Sequence, residues 1–123
     1  MNKALRGITL LPGIVFLLIG LQWVFAPADA AAQLGMPLLD LASRGSQIAD
    51  EAGFFIACGI FIILGVVTLQ RQWLYAGAML VGVAGVARIL ATLLHDAAMV
   101  TSSLAIEVIV PAILLTAAIR ICR

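Results

Sequence analysis

The sequence predicts an all-α fold, an integral membrane bundle of four helices that run up-down-up-down. Its composition, four long apolar runs and an uneven distribution of basic residues all indicate this. Of the 123 residues, 64% are hydrophobic and 11% are charged, whereas soluble domains contain about 25% charged residues. The mean hydropathy of +1.21 also excludes an intrinsically disordered chain, because disorder requires low hydrophobicity.

The four spans follow from the length of an apolar helix that crosses a bilayer, about 20 residues. We place them at residues 7–28, 50–70, 73–94 and 98–119, joined by an outer loop at 29–49, so that residues 1–123 form one domain. The connections after the second and third spans are short, which makes consecutive helices antiparallel neighbours. Within the outer loop, Leu34, Leu38 and Leu41 recur at helical spacing. This spacing indicates either an amphipathic segment on the membrane surface or a connector whose leucines pack on the bundle.

The first span has a second interpretation. Lys3, Arg6 and the apolar stretch that leads to Ala28-Asp29-Ala30 resemble a secretory signal with a small-x-small cleavage site. The apolar stretch exceeds the 7–15 residues that are typical of signal peptides. We therefore expect the segment to be retained as a membrane helix.

The basic residues predict the orientation of the spans. Five of them fall on one side, and these are Lys3, Arg6, Arg71, Arg120 and Arg123. Arg44 is the single basic residue in the outer loop, so the positive-inside rule places both termini in the cytoplasm. We expect the membrane to be the inner, cytoplasmic one. We expect Trp23 at the outer end of the first span, and Trp73 and Tyr75 at the inner end of the third, to anchor the helices at the two interfaces.

Two charged residues fall inside the predicted spans, Arg88 in the third and Glu107 in the fourth. A charged side chain at mid-span costs about 2.5–3.5 kcal/mol on insertion scales, so it faces the protein interior and finds a partner. Counted from the outer helix ends at a rise of about 1.5 Å per residue, the two depths differ by roughly 6 Å. An arginine side chain covers that difference, which predicts an Arg88–Glu107 ion pair.

Other polar residues are expected near this pair, in the outer half of the bundle. Arg88 lies four residues before Thr92 and seven before His95, so the three share one helix face. The predicted ligand-binding residues are Gln22, Glu51, Arg88, Thr92, His95 and Glu107. In this arrangement Arg88 lies between Glu51 and Glu107, with His95 and Asp96 at the mouth of a pocket that opens outward. The alternative is a structural clamp, in which the ion pair fixes helix order and binds no ligand.

Several short motifs carry a resemblance to a known family. They are Glu51–Gly53 with Gly59 and Leu64-Gly65, then Ala87-Arg88, His95-Asp96 and Glu107. Over residues 10–120 the chain resembles a family of small bacterial four-helix membrane proteins of unknown function, and more loosely the DoxX-type proteins. In that family an arginine follows the glutamate of the second span and a glycine follows the aspartate after the third, where this chain has Ala52 and Ala97. The resemblance implies the four-helix fold and the set Glu51, Arg88 and Glu107, and it implies no reaction.

The sequence leaves three kinds of function open. The favoured one is the binding of a small polar or amphiphilic ligand, such as a lipid or a quinone, with Arg88 holding an anionic or carbonyl group. The second is an accessory or scaffold subunit of a larger membrane complex or homo-oligomer, with Arg88–Glu107 as a clamp. A membrane enzyme that uses Glu51, His95 and Glu107 as acid–base groups is the least favoured.

Composition narrows the partners further. With a formal net charge of +1 the chain has no basic field for nucleic acid. Its two cysteines are too few for a disulfide framework or a Cys-rich zinc site, and we expect neither a metal nor another cofactor. The lipid bilayer is the partner that the composition itself implies.

Overall fold

A computed structural model describes residues 3–120, and regular structure in that range is entirely helical. Arg123, one of the basic residues that predict the orientation, and Cys122, one of the two cysteines, lie outside this range. The elements are α1 (Lys3–Phe25), α2 (Pro27–Gln33), α3 (Leu41–Thr68), α4 (Arg71–His95) and α5 (Thr101–Arg120). The helices α1, α3, α4 and α5 are each long and apolar enough to cross a membrane. The all-α prediction is confirmed for this range, and four such helices support the prediction of a multi-pass membrane protein.

Glycines bring α1 and α3 into backbone contact. A Cβ atom added at Gly59 of α3 would lie 2.7 Å from the carbonyl oxygen of Gly13 and 2.8 Å from the backbone nitrogen of Leu17. A Cβ added at Gly20 of α1 would lie 2.8 Å from the backbone nitrogen of Ile56. Small residues at such positions let membrane helices pack closely, which increases the dispersion contacts between them.

The chain then turns back twice. Leu69 ends α3 in the left-handed conformation, and α4 begins two residues later at Arg71. Near this turn Gly65 packs on Leu74, and farther along the helices Gly77 packs on Ile62. The residue numbers at these contacts rise along α4 as they fall along α3.

The helix α5 packs mainly against α4 and also touches α1. The two helices pack closely at Gly85, where an added Cβ would be 3.1 Å from the Cβ of Glu107. The four long helices share one core. Its large, fully buried side chains include Ile62, Leu74 and Leu114, each with 0% exposure. We call the end of the bundle where α1 ends and α3 begins the α2 end. It is opposite to the turn at Leu69.

The region predicted as an outer loop at 29–49 contains more helix than we expected. Pro27 occupies the first turn of α2, with Asp29 beside it, and both residue types favour a helix N-terminus. The helix α3 begins at Leu41, nine residues before the predicted start of the second span. With a rise of about 1.5 Å per residue its 28 residues extend about 42 Å, longer than a hydrocarbon core of about 30 Å.

The connection from α2 to α3 packs on the bundle in part. Leu34, Met36 and Leu38 contact the buried cluster around Trp23, as expected for a connector, whereas Leu41 is 91% exposed. Trp23 lies near the end of α1, and its side chain has 0% exposure, so it packs inside the protein. The helix α2 folds over it and places Ala30 and Ala31 against it.

At the other end of the bundle, the aromatic residues of α4 lie nearer to its surface. Trp73 stacks on Phe61 with ring centroids 5.7 Å apart, and its indole Nε1 donates to Gln70 Oε1 at 3.0 Å. Tyr75 is 40% exposed. Such amphipathic side chains suit the level of the lipid headgroups.

The contact between α1 and α3 predicts unequal effects of two substitutions in the same helix. Gly59→Ala places a methyl group against the backbone of α1, whereas nothing lies within 4 Å of a Cβ at Gly53. Overpacking of this kind costs about 1–3 kcal/mol. We therefore expect Gly59→Ala to lower the thermal unfolding midpoint in detergent and Gly53→Ala to preserve or raise it. Equal midpoints for the two variants would contradict the close packing of α1 on α3.

Candidate functional site

A cavity of about 390 Å³ lies between the four long helices toward the α2 end. Its volume falls within the range of about 300–1,000 Å³ that is typical of ligand sites. Every long helix and the α2–α3 connection contribute to the wall. The lining residues are Phe16, Ile19, Leu34, Met36, Asp50, Glu51, Phe54, Phe55, Val81, Ala84, Arg88, Ser103, Ile106 and Glu107.

The polar side of the cavity centres on Arg88 and Glu107. Arg88 donates from Nε to Glu107 Oε1 at 2.5 Å and from an Nη to Oε2 at 3.5 Å. Exposure of the two side chains is 35% for Arg88 and 11% for Glu107. The ion pair that the sequence predicts is thereby confirmed, and both of its members line the cavity.

Glu51 joins the same wall, but its position relative to Arg88 differs from the prediction. Among residues 3–120, the one carboxylate within 4.0 Å of the Arg88 side chain is that of Glu107. Arg88 is therefore paired with Glu107, and Glu51 interacts with it electrostatically from beyond that distance. Asp50 precedes Glu51 on α3 and lines the cavity as an exposed residue.

The remaining wall is apolar and rich in aromatic rings. The rings of Phe16 and Phe55 meet edge to face at a centroid distance of 5.5 Å. Phe54 and Phe55 meet in the same way at 5.2 Å. With aromatic rings and charged groups both in its wall, the cavity has an amphipathic lining.

Part of the cavity wall comes from the connection between α2 and α3, which supplies Leu34 and Met36. Gln47 in the first part of α3 holds the connection in place. Its side chain accepts from the Leu39 backbone nitrogen at 2.8 Å and donates to the Pro37 carbonyl oxygen at 3.0 Å. We call residues 34–40 the cover segment, since they extend one wall of the cavity beyond the ends of the helices.

Arg44 adds a second fastening of the cover segment. It donates from Nε to the Leu39 carbonyl oxygen at 2.8 Å and pairs with Asp40 at 3.1 Å. The charge of Arg44 is therefore paired with Asp40 at an exposed position, and Arg44 does not line the cavity.

Three of the six sequence-predicted site residues do not line the cavity. Gln22 is half-buried, and His95 is exposed at the end of α4. The hydroxyl of Thr92 donates to the carbonyl oxygen of Arg88 at 3.4 Å, within its own helix. The shared face of Arg88, Thr92 and His95 therefore continues past the cavity, and His95 does not stand at its mouth.

Several lining residues were not among the predicted site residues. Asp50 and Phe54 fall within the predicted second span, where no site role was expected for them. Met36 had no periodic pattern that would place it on the bundle. The adjacent pair Phe54-Phe55, one helical turn after two carboxylates, was the available signal.

Two buried polar atoms lie away from the lining. The indole Nε1 of Trp23 is buried without a hydrogen-bond partner. The thiol of Cys58 lies 3.9 Å from the Gly77 carbonyl oxygen. Within residues 3–120, no cluster of three or more His, Cys, Asp or Glu side chains could hold a metal ion.

Comparison with protein-family models, curated proteins and solved structures found no match. Interpretation of the cavity therefore rests on its own geometry and charges.

The geometry of the ion pair predicts the outcome of a double-mutant cycle. Arg88→Leu or Glu107→Leu leaves a largely buried charge without its partner, which costs about 1–3 kcal/mol or more. The double variant removes both charges, so its loss should be smaller than the sum of the two single losses. Thermal unfolding in detergent measures all three variants.

Arg44→Leu is the matched control for this cycle. It breaks the exposed Arg44–Asp40 pair, and exposed pairs contribute only about 0–1 kcal/mol. The contrary result is that the losses of stability in Arg88→Leu and Glu107→Leu are each as small as in Arg44→Leu and add up in the double variant. Such a result would show that the buried pair has no energetic coupling.

Proposed function

We propose that this protein is a multi-pass protein of the inner membrane that binds a small amphiphilic ligand, such as a lipid or a quinone. The cavity at the α2 end receives the ligand, with Glu51, Arg88 and Glu107 on its polar side. In this proposal the four long helices cross the bilayer up-down-up-down, both termini lie in the cytoplasm and the α2 end faces outward.

The observation that carries the proposal is the mixed character of the cavity wall. It combines charged and polar groups from α3, α4 and α5 with the rings of Phe16, Phe54 and Phe55. Ligand sites combine an apolar lining with a few placed polar groups in this way. A purely structural ion pair needs no cavity of about 390 Å³ beside it.

A second candidate function is that of an accessory subunit in which Arg88–Glu107 acts as a clamp. The close packing at Gly85 favours it, because this glycine lets α5 approach α4 at Glu107 itself. In that case the isolated protein binds no ligand, and its apolar outer surface contacts a partner subunit or a second copy.

Filling the cavity distinguishes the two functions. Ala84 lines the cavity on α4, whereas Ala87 is exposed on the same helix. We expect a lipid or other small amphiphile to copurify with the wild type and with Ala87→Leu. Ala84→Leu should remain folded and lose that molecule, because the larger side chain occupies part of its site. Native mass spectrometry of the three proteins measures the bound species.

The result for the Ala84 variant decides the interpretation. If the wild type carries no bound molecule, or if Ala84→Leu carries the same molecule in the same amount, the cavity is not a ligand site. The accessory-subunit function would then be favoured, with the double-mutant cycle as its independent check.

The proposed orientation has its own test. In a background with Cys58→Ala and Cys122→Ala, we expect Ser46→Cys in α3 to react with a membrane-impermeant maleimide in intact spheroplasts. Gln72→Cys, at the opposite end of the bundle, should react only after permeabilisation. Both positions are exposed, so the membrane and not burial within the protein would determine the difference. The reverse labelling pattern would overturn the proposed orientation.

A further inference from the structure

The cavity is lined by more acidic residues than basic ones. Three carboxylates line it, those of Asp50, Glu51 and Glu107, against the single guanidinium of Arg88. These residues leave a formal excess of two negative charges. Because Arg88 is engaged by two hydrogen bonds to Glu107, Asp50 and Glu51 carry the excess.

Within the part of the chain that the structure describes, no cation pairs with either of these two carboxylates at 4.0 Å or less. A second, shallower depression on the first part of α3 borders Asp50 and Glu51, and its other lining residues are uncharged. On the cavity side, Arg88 acts on Glu51 from beyond that distance while it is paired with Glu107. The net charge of the cavity therefore stays negative, and Asp50 and Glu51 have no ion-pair partner there.

The aromatic wall has the same electrostatic preference. Phe54 and Phe55 follow the carboxylates by about one helical turn, and both rings line the cavity. The face of an aromatic ring attracts a cation because its π-electrons concentrate negative charge there. An anion would meet the rings and the excess of carboxylates together.

We propose that the cavity recognises a cationic amphiphile, an ammonium group on an apolar body. This inference rests on the proposed function and names the chemical class of its ligand. The ammonium binds beside Asp50 and Glu51, and the apolar body lies against the phenylalanines. It replaces the expectation that Arg88 holds an anionic or carbonyl group, since Glu107 already engages that charge.

Three probes with the same chain length test the sign of the charge: decyltrimethylammonium, decanoate and decanol. Each is dialysed to equilibrium against the protein in dodecyl maltoside micelles, with uptake by empty micelles subtracted. A single charge contact at about 4 Å in a water-like medium corresponds to about a fivefold change in affinity, and more in a drier site. We expect decyltrimethylammonium to bind at least about fivefold more tightly than the other two probes.

Charge-neutralising variants locate the cation. Asp50→Asn and Glu51→Gln should each weaken decyltrimethylammonium binding by about fivefold or more. Asp29→Asn removes the same charge from an exposed position that does not line the cavity, so it should bind like the wild type. Thermal unfolding without probe confirms that each variant is folded, and the exposed Asp50 provides the test if Glu51→Gln is not.

A fourth measurement identifies the source of the ammonium group. Addition of phosphatidylethanolamine to the micelles should displace the probe if a lipid headgroup is the natural ligand. If a free lipophilic amine is the natural ligand, phosphatidylethanolamine should have no more effect than phosphatidylglycerol. Either result supports recognition of the ammonium.

The outcomes separate this inference from the proposed function. Equal binding of the three probes, or tighter binding of decanoate, overturns the preference for a cation and leaves the amphiphile site standing. Equal losses for Asp50→Asn and Asp29→Asn likewise overturn it. Binding of none of the probes, with no copurified molecule on the wild type, overturns both proposals.

Discussion

The structure depends first on the close approach of helix backbones at a few glycines. Gly13, Gly20 and Gly59 join α1 to α3, and Gly85 joins α4 to α5. The glycine contacts between α3 and α4, at Gly65 and Gly77, lie away from the α2 end. Between apolar lipid and apolar helices there is little hydrophobic driving force, so tight van der Waals packing of this kind stabilises a membrane bundle. Two close helix pairs are thus joined near one end, and the cavity lies between them toward the other.

The same arrangement explains why the charged residues are tolerated. A charge inside a membrane protein faces the interior or a polar cavity, and the Arg88–Glu107 pair lies beside such a cavity. The first part of α3 carries Asp50 and Glu51 to the same place, where Asp50 still reaches the surface. The cover segment, fastened by Gln47 and Arg44, supplies Leu34 and Met36 to the apolar part of the cavity wall.

The sequence predicts the spans and the ion pair well, because both follow from strong local costs. A long uncharged run has few alternatives to a membrane helix, and Arg88 inside such a run requires a partner at a similar depth. The helix α2 was missed for the opposite reason, and the cover segment was left open between a membrane-surface segment and a connector packed on the bundle. Their contacts are tertiary, such as the packing of α2 on Trp23, and local spacing alone does not determine which surface a short segment contacts. His95 was placed at the cavity on helical periodicity alone, which fixes a direction around the helix axis but not how far the cavity extends along it.

The Arg88–Glu107 pair can hold α4 and α5 together and also form part of a ligand site. By pairing with Arg88, Glu107 ties α5 to α4 and also occupies the guanidinium that lines the cavity. A loss of Glu107 would therefore change two properties: stability would fall, and the formal negative excess of the cavity would drop from two to one as Arg88 became available to an anion. A loss of Arg88 would also lower stability but would make the cavity more negative. Both single variants lose stability, but they change the charge of the cavity in opposite directions. Comparison of these two proteins therefore separates effects on stability from effects on ligand preference.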